Sequence, residues 1–348
     1  MNGREYKEFK AAAAKLGSTG TLATDRQEIA QFGKALRLLW AGNAKAASRG
    51  SIGLSVDPSA FGDLTTLAIH GAYIAYADGN WKSGSDQLLE LLTFGDSISR
   101  LGTNSLRIGS SISERAIEEL NRQRSRWSID DCDRIGHFVD RLLGLPSSIS
   151  AAIEYDRVLV AANVASMIAG TTKLSEEQAG TPVGLETIRK LNGLGPSERQ
   201  SLGALVTARL NRIFGALGAR FRGTERGWDS TPAIPGEAAL SAPFKSADEL
   251  ARAICEDGEP QSETIDAGLR LRAQLRMLRL QARIQEYRWR NGKLPDRIED
   301  AASGLELQDP LSGKQFHFDV PKDQIYRLYS DGNASLGPIV FSERSLGG

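Results

Sequence analysis

Apolar side chains return every three or four residues over most of this chain, and every second residue only near its end. The first spacing marks one face of an α-helix, the second one face of a strand. Residues 25–47 place Ile29, Phe32, Leu36, Leu39 and Trp40 on one helical face. A second helix opens at Asp57-Pro58 and closes near Gly79-Asn80, and a third follows at once through residue 101. Two helices joined by so few residues lie antiparallel, so 57–101 reads as a helical hairpin. Further helices are expected at 103–124, 129–143, 147–171, 183–194 and 197–222, with Ser128 and Asp131 as a capping pair.

Residues 222–246 lose periodicity and fill with Gly, Pro, Ser and Thr, the composition of a loop. Ser246 and Glu249 then stand at capping-box spacing before a short helix, 247–256. The longest helix, about 262–290, ends at Asn291-Gly292, and Pro295 forbids its resumption. Beyond it Phe316 and Phe318, then Tyr326 and Leu328, then "PIVFS" alternate with period two. Three such short strands are marginal alone, so the long helix must cover one face of their sheet. The expected architecture is mainly α: a helical body over 1–222, a linker over 223–246, and a long helix with a small antiparallel sheet over 247–348.

Composition narrows the function classes without choosing one. Of 348 residues 41% are hydrophobic and 25% charged, and 43 basic residues balance 43 acidic ones. That balance gives no general attraction to nucleic acid, so no nucleic-acid partner is expected. Two cysteines, Cys132 and Cys255, make neither a disulfide scaffold nor a Cys-rich zinc site; they read as buried thiols, with one long-range disulfide between them as the alternative. No run of about 20 apolar residues is present to span a bilayer, so the chain as written reads as soluble.

Candidate chemistry is sparse. "FGDSI" at 94–98 resembles the nucleophile block of GDSL-type esterases, with Ser97 as nucleophile and Asn104 as oxyanion donor. A serine nucleophile needs a histidine base, and none of His70, His137 and His317 stands in that family's "D-x-x-H" pattern. Ser97 then reads as a small residue in a packed helix. Asp133 and His137 share a helix face at metal-ligand spacing, without a second ligand pair. "NGLGPSERQSLG" is glycine-rich but lacks the Gly-Lys-Ser/Thr ending of a phosphate loop, and reads as a helix break and restart. No cofactor is implied. One feature suggests a partner surface. Arg272, Arg276, Arg279 and Arg283 share one face of the long helix, opposite Leu271, Leu275, Leu278 and Ala282. That face is expected either to grip an acidic protein surface, phospholipid or nucleic-acid backbone, or to be a solvated face or one paired with body acids such as Glu118 and Glu119. Tyr287 and Trp289 are expected to anchor the sheet.

Two resemblances follow from these residues. The turn carrying Tyr76, Gly79, Trp81, Gly84, Leu88 and Leu91 resembles a tetratricopeptide-type helical hairpin, without a repeating 34-residue period elsewhere. The stretch from Tyr287 to Gly332 resembles the C-terminal module of type II secretion major pseudopilins. Its "NGKLP" turn, "DPLSGK" loop and "IYRLYSDG" strand carry that likeness. A helical body with such an ending is similar to a group of bacterial envelope proteins that begin with a membrane anchor. The resemblance implies a non-enzymatic scaffold or protein-binding protein on the extracytoplasmic face, held by an anchor that this sequence lacks, with other envelope proteins as partners. Pseudopilins also hold calcium in this region, but Asp331, Asn333 and Ser335 supply few carboxylates for a hard cation. The alternatives are an esterase using Ser97 and a cytosolic adaptor using the arginine face.

Overall fold

The computed structural model describes residues 58–171, 175–178, 180–222, 242–256, 262–320, 326–332 and 336–342, with single positions at 23, 25–27, 29–31, 33, 36 and 240. The fold is mainly α with a three-stranded antiparallel sheet. Most of the expected linker over 223–246, and much of the first helical pattern, including Phe32, Leu39 and Trp40, lie outside the described residues.

The helices are α1 (Pro58–Ala77), α2 (Trp81–Ser99), α3 (Thr103–Gln123), α4 (Ile129–Gly144), α5 (Ser148–Ala169), α6 (Pro182–Gly193), α7 (Pro196–Arg222), α8 (Ala247–Glu256) and α9 (Ser262–Asn291). Their ends follow the expected punctuation. Asn80 caps α2 by accepting from the Ser83 amide, and Gly79 before it takes a left-handed φ of 76°. Ser128 and Asp131 form a reciprocal capping box on α4. At α8 Ser246 Oγ accepts from Glu249 N, but the Glu249 carboxylate receives the amide of Lys245, one residue before the cap. Gly292 closes α9 with φ 68°.

In the α1–α2 hairpin Gly84 lies directly under the Tyr76 ring, and Trp81 stacks on Tyr76 with centroids 5.2 Å apart. A side chain at residue 84 would enter the Tyr76 ring, so glycine sets the distance between these helices. Tyr73 on α1 donates to Glu119 on α3, which also takes Arg122 Nη1 at 2.7 Å. Glu119 is therefore committed to this clamp rather than to the long helix.

Around α9 the fold differs from an amphipathic reading. Residues 273–282 are buried without interruption, so arginines and leucines alike face inward. A helix covered on all sides lies at the centre of a fold, and α9 packs on α3 and α4 and against the sheet. Strands β1 (His317–Asp319), β2 (Arg327–Ser330) and β3 (Ile339–Ser342) pair in sequence order, with Phe318 opposite Leu328 and Leu328 opposite Phe341. Tyr326 and Leu328 are fully buried, which places the inner face of the sheet on α9. Trp289 does not anchor that sheet. It is 56% exposed, and its indole Nε1 donates to the Trp127 carbonyl at 2.7 Å.

Candidate functional site

The four arginines expected to form a partner surface do not share an exposed face. Arg276 and Arg279 are buried: Arg276 Nη1 donates to the Gln308 carbonyl at 2.8 Å, and Arg279 Nε to Asp140 Oδ1 at 2.7 Å. Glu306 stands 3.7 Å from Arg279 and 3.9 Å from Arg283, and Arg283 also reaches Glu286 at 3.2 Å. Arg272 lies beside the α4–α5 turn with Asp96 and Pro146. The row joins α9 to α4 and to the turn at Gly304–Leu307. Among the described residues its acids include Asp140, Glu286 and Glu306, while Glu119 is held by Tyr73 and Arg122. Burial of such cations is tolerated because each meets carbonyls or carboxylates.

Ser97 sits near the end of α2, where its Oγ donates to the Thr93 carbonyl one turn back at 2.8 Å. Asp96 beside it pairs with Arg100 at 2.7 Å. The three histidines are engaged elsewhere: His70 is 3.8 Å from Asp25, His137 Nδ1 lies 2.7 Å from the Asp133 carbonyl, and His317 Nε2 lies 2.9 Å from Asp331. Among the described residues, none bonds to Ser97. The "FGDSI" pattern has a packing cause instead. Gly95 lies against Gly109 and Ser113 of α3, so residue 95 must lack a side chain. Ser97→Ala is expected to shift unfolding free energy by less than about 1 kcal/mol, since it removes one local hydroxyl bond. Denaturant titration of both proteins reads this directly.

Among the described residues no group of three or more His, Cys, Asp or Glu side chains could hold a metal ion. Asp331 is occupied by His317, and Asn333 and Ser335 lie outside the described residues. Both cysteines are free and buried. Burial first, then the nearby carboxylates of Asp131, Glu286 and Asp133, pushes the Cys132 thiol up to about 12. Burial likewise pushes Cys255 up to about 11, against the opposing pull of Arg209. A thiol with a raised pKa stays protonated and unreactive. The folded chain should therefore resist a disulfide reagent at pH 8 and release two thiols per chain in denaturant. Because folding holds these protons, the associated stability is complete below about pH 9 and is lost as pH rises through 11 and 12.

A concave surface lies between α5 and α7, which sequence patterning did not single out. After Arg157, α5 carries no charged residue to its end, and Val158, Leu159, Ala161, Ala162 and Ala165 are exposed beside Asn163. A helix of that composition is ordinarily covered all round. α7 adds an uncharged run from Gln200 to Ala208. Between them runs a groove of about 370 Å³ with Val164, Ile168, Val206 and Leu210 at its floor and Ala161 and Ala165 on its rim. Gly203 lines it, and a Cβ there would meet only Ile168, at 3.9 Å.

Arg199 fixes the closed end of the groove. Its guanidinium donates to the carbonyls of Ile168 at 2.6 Å, Leu191 at 2.9 Å and Leu194 at 3.1 Å. Those carbonyls end α5 and α6, where unpaired acceptors and the helix dipole favour a cation. The legible signal in the sequence was the charge-free stretch after Arg157, longer than a surface helix needs. No helix among the described residues is long and apolar enough to cross a membrane. No known protein family, curated protein or solved structure matches the chain.

Proposed function

We propose that this protein is a non-enzymatic scaffold of the bacterial cell envelope that holds an uncharged, apolar segment of another envelope protein against the surface between α5 and α7. The observation that carries the binding reading is the exposed face of α5, twelve residues from Val158 to Ala169 without a charge, beside an open groove. Exposed apolar area of this kind marks interaction surfaces, and two helices that splay around small residues make a seat for a third. The placement at the envelope rests on the pseudopilin-like pattern from Tyr287 to Gly332 and on the geometry that pattern adopts. There the Asp309 loop and Ser330 lock a small sheet onto the central helix, a packing device on which a recognition surface can be carried.

The test is site-specific photo-crosslinking in the native cell, with the photoreactive side chain at Ala162 or Ala165, and at Glu90 on α2 as the exposed control. A discrete adduct from 162 and 165, absent from 90 and recovered with the membrane or periplasmic fraction, is expected. Equal labelling at all three positions overturns the binding reading. Recovery of the parent chain in the cytosol alone overturns the envelope placement.

A further inference from the structure

The opposite shoulder of α7 carries a second pattern. Glu198, Ser201, Leu205, Ala208 and Arg212 are all exposed and follow one another at spacings of three, four, three and four. That spacing keeps side chains on one stripe along a helix. None of the five lines the groove, where α7 contributes Arg199, Gln200, Gly203, Val206, Thr207, Leu210 and Asn211. The stripe therefore faces away from α5, and occupying one surface leaves the other free.

The stripe is pseudo-symmetric. Leu205, 39% exposed, stands at its centre, small residues flank it, and opposite charges stand seven residues away on either side. At 1.5 Å per residue the two charges are about 21 Å apart along the helix. Among the described residues Arg212 has no carboxylate partner. Glu198 caps the Gly195 amide with one oxygen at 2.8 Å and keeps the other for a second donor.

We propose that α7 is a self-association surface on which a second copy of this chain docks antiparallel across a two-fold axis through Leu205. In that arrangement Leu205 meets its symmetry mate, and Ser201 and Ala208 permit close approach of the helices. Glu198 of each copy faces Arg212 of the other at both ends. A two-fold interface requires such self-complementarity. The parallel alternative sets Glu198 on Glu198 and Arg212 on Arg212, so charge selects the antiparallel one. One helix pair buries less than a standard interface, so the dimer is expected to be weak and to depend on concentration and salt.

Sedimentation equilibrium over a wide range of chain concentration, at low and high salt, tests this. The parent should show a monomer–dimer equilibrium that weakens with salt. Arg212→Glu sets like charges together at both ends and should weaken the dimer about tenfold or more. The swap Glu198→Arg with Arg212→Glu restores opposite charges and should recover most of the lost affinity. Leu205→Cys should cross-link to itself under mild oxidation, whereas Thr207→Cys on the groove side should not, and native Cys132 and Cys255 are buried out of reach. A parent monomeric at every concentration overturns the proposal. So does a dimer indifferent to Arg212→Glu, or one that cross-links equally from both cysteine positions. Because Arg212→Glu, the charge swap and Leu205→Cys leave the groove residues untouched, and Thr207→Cys serves only as the cross-linking control, loss of the α5 adducts above would leave this result standing, and the reverse holds too.

Discussion

Gly109→Leu should leave the chain unable to fold, and Gly109→Ala should cost about 2 kcal/mol net. The expectation comes from the crossing of α2 and α3, where backbone meets backbone. A Cβ at residue 109 would fall on the Gly95 carbonyl and on the amide and hydroxyl of Ser99. One at residue 95 would stand 2.7 Å from the Gly109 carbonyl and 3.0 Å from the Ser113 amide. A flexible side chain can swing aside, but these atoms belong to two helices buried among Leu91, Leu92, Leu106 and Ile112. Overpacking a core costs about 1–3 kcal/mol, the upper end applying where only backbone can move. Replacing glycine in a helix interior returns about 1 kcal/mol of propensity, too little to offset the clash. Leucine adds three more carbons, and separating the helices enough to hold it would open the core, against a total stability of about 5–15 kcal/mol. Gly215→Ala on α7 is the control. Nothing lies within 4 Å of its Cβ, so the propensity term acts alone and should stabilise by about 0.5–1 kcal/mol. Chemical denaturation of the alanine variants, with circular dichroism of the leucine variant, reads all three. Equal stability of Gly109→Ala and parent would contradict the close crossing.

This crossing shows where sequence reading stops. Helix periodicity locates α2 and α3 within a residue or two, because it needs only the local spacing of Leu88, Leu91, Leu92 and Leu106. The same reading weighs "FGDSI" as a nucleophile block and settles on Ser97 as a small residue in a packed helix, whereas the residue under constraint is Gly95, two positions earlier. Which glycine touches another helix is a tertiary fact, and no local period encodes it. The arginines of α9 make the complementary case. Their placement on one face is legible from spacing, but whether that face meets water or Asp140 and Glu306 depends on segments more than a hundred residues apart or across a turn. α9 also breaks the usual rule that charge marks the outside, since its cations are satisfied by carbonyls and carboxylates of the layers around it. The groove was hidden for the opposite reason. An apolar run in α5 predicts burial, and only the fold shows half of that helix left uncovered.

Asp309→Ala should detach the β ending, with a loss of about 3–5 kcal/mol. Asp309 is fully buried, and its carboxylate accepts at both oxygens. Oδ1 takes the Leu311 amide at 3.0 Å, while Oδ2 takes the Ser312 amide at 3.3 Å and the hydroxyls of Ser312 and Ser330, each at 2.7 Å. The first three bonds shape the loop "DPLSGK", and the fourth ties that loop to the end of β2. Ser330 Oγ in turn accepts the Gly332 amide at 3.0 Å, and Gly332 adopts φ 74° so that the chain can turn against Leu336 and Gly337. Removing the carboxylate strands two amides and two hydroxyls in a dry site at about 1–3 kcal/mol for each left unpaired, with partial relaxation reducing the sum. Asp309→Asn keeps one acceptor oxygen but turns an NH2 group toward donors, so it should recover only part of the loss. Ser330→Ala removes two bonds, the one donated to Asp309 and the one accepted from the Gly332 amide, and should cost about 1–3 kcal/mol. Although the strands share the main core through Leu328, Ile339 and Phe341, α1–α4 also pack on one another and on α9, so the damage should concentrate in the sheet. Hydrogen exchange of Asp309→Ala is expected to lose protection across β1, β2 and β3 and to retain it in α2, α3 and α4. Loss of protection throughout would mean that the ending is part of one cooperative core, and unchanged protection in the strands would mean that Asp309 does not hold them.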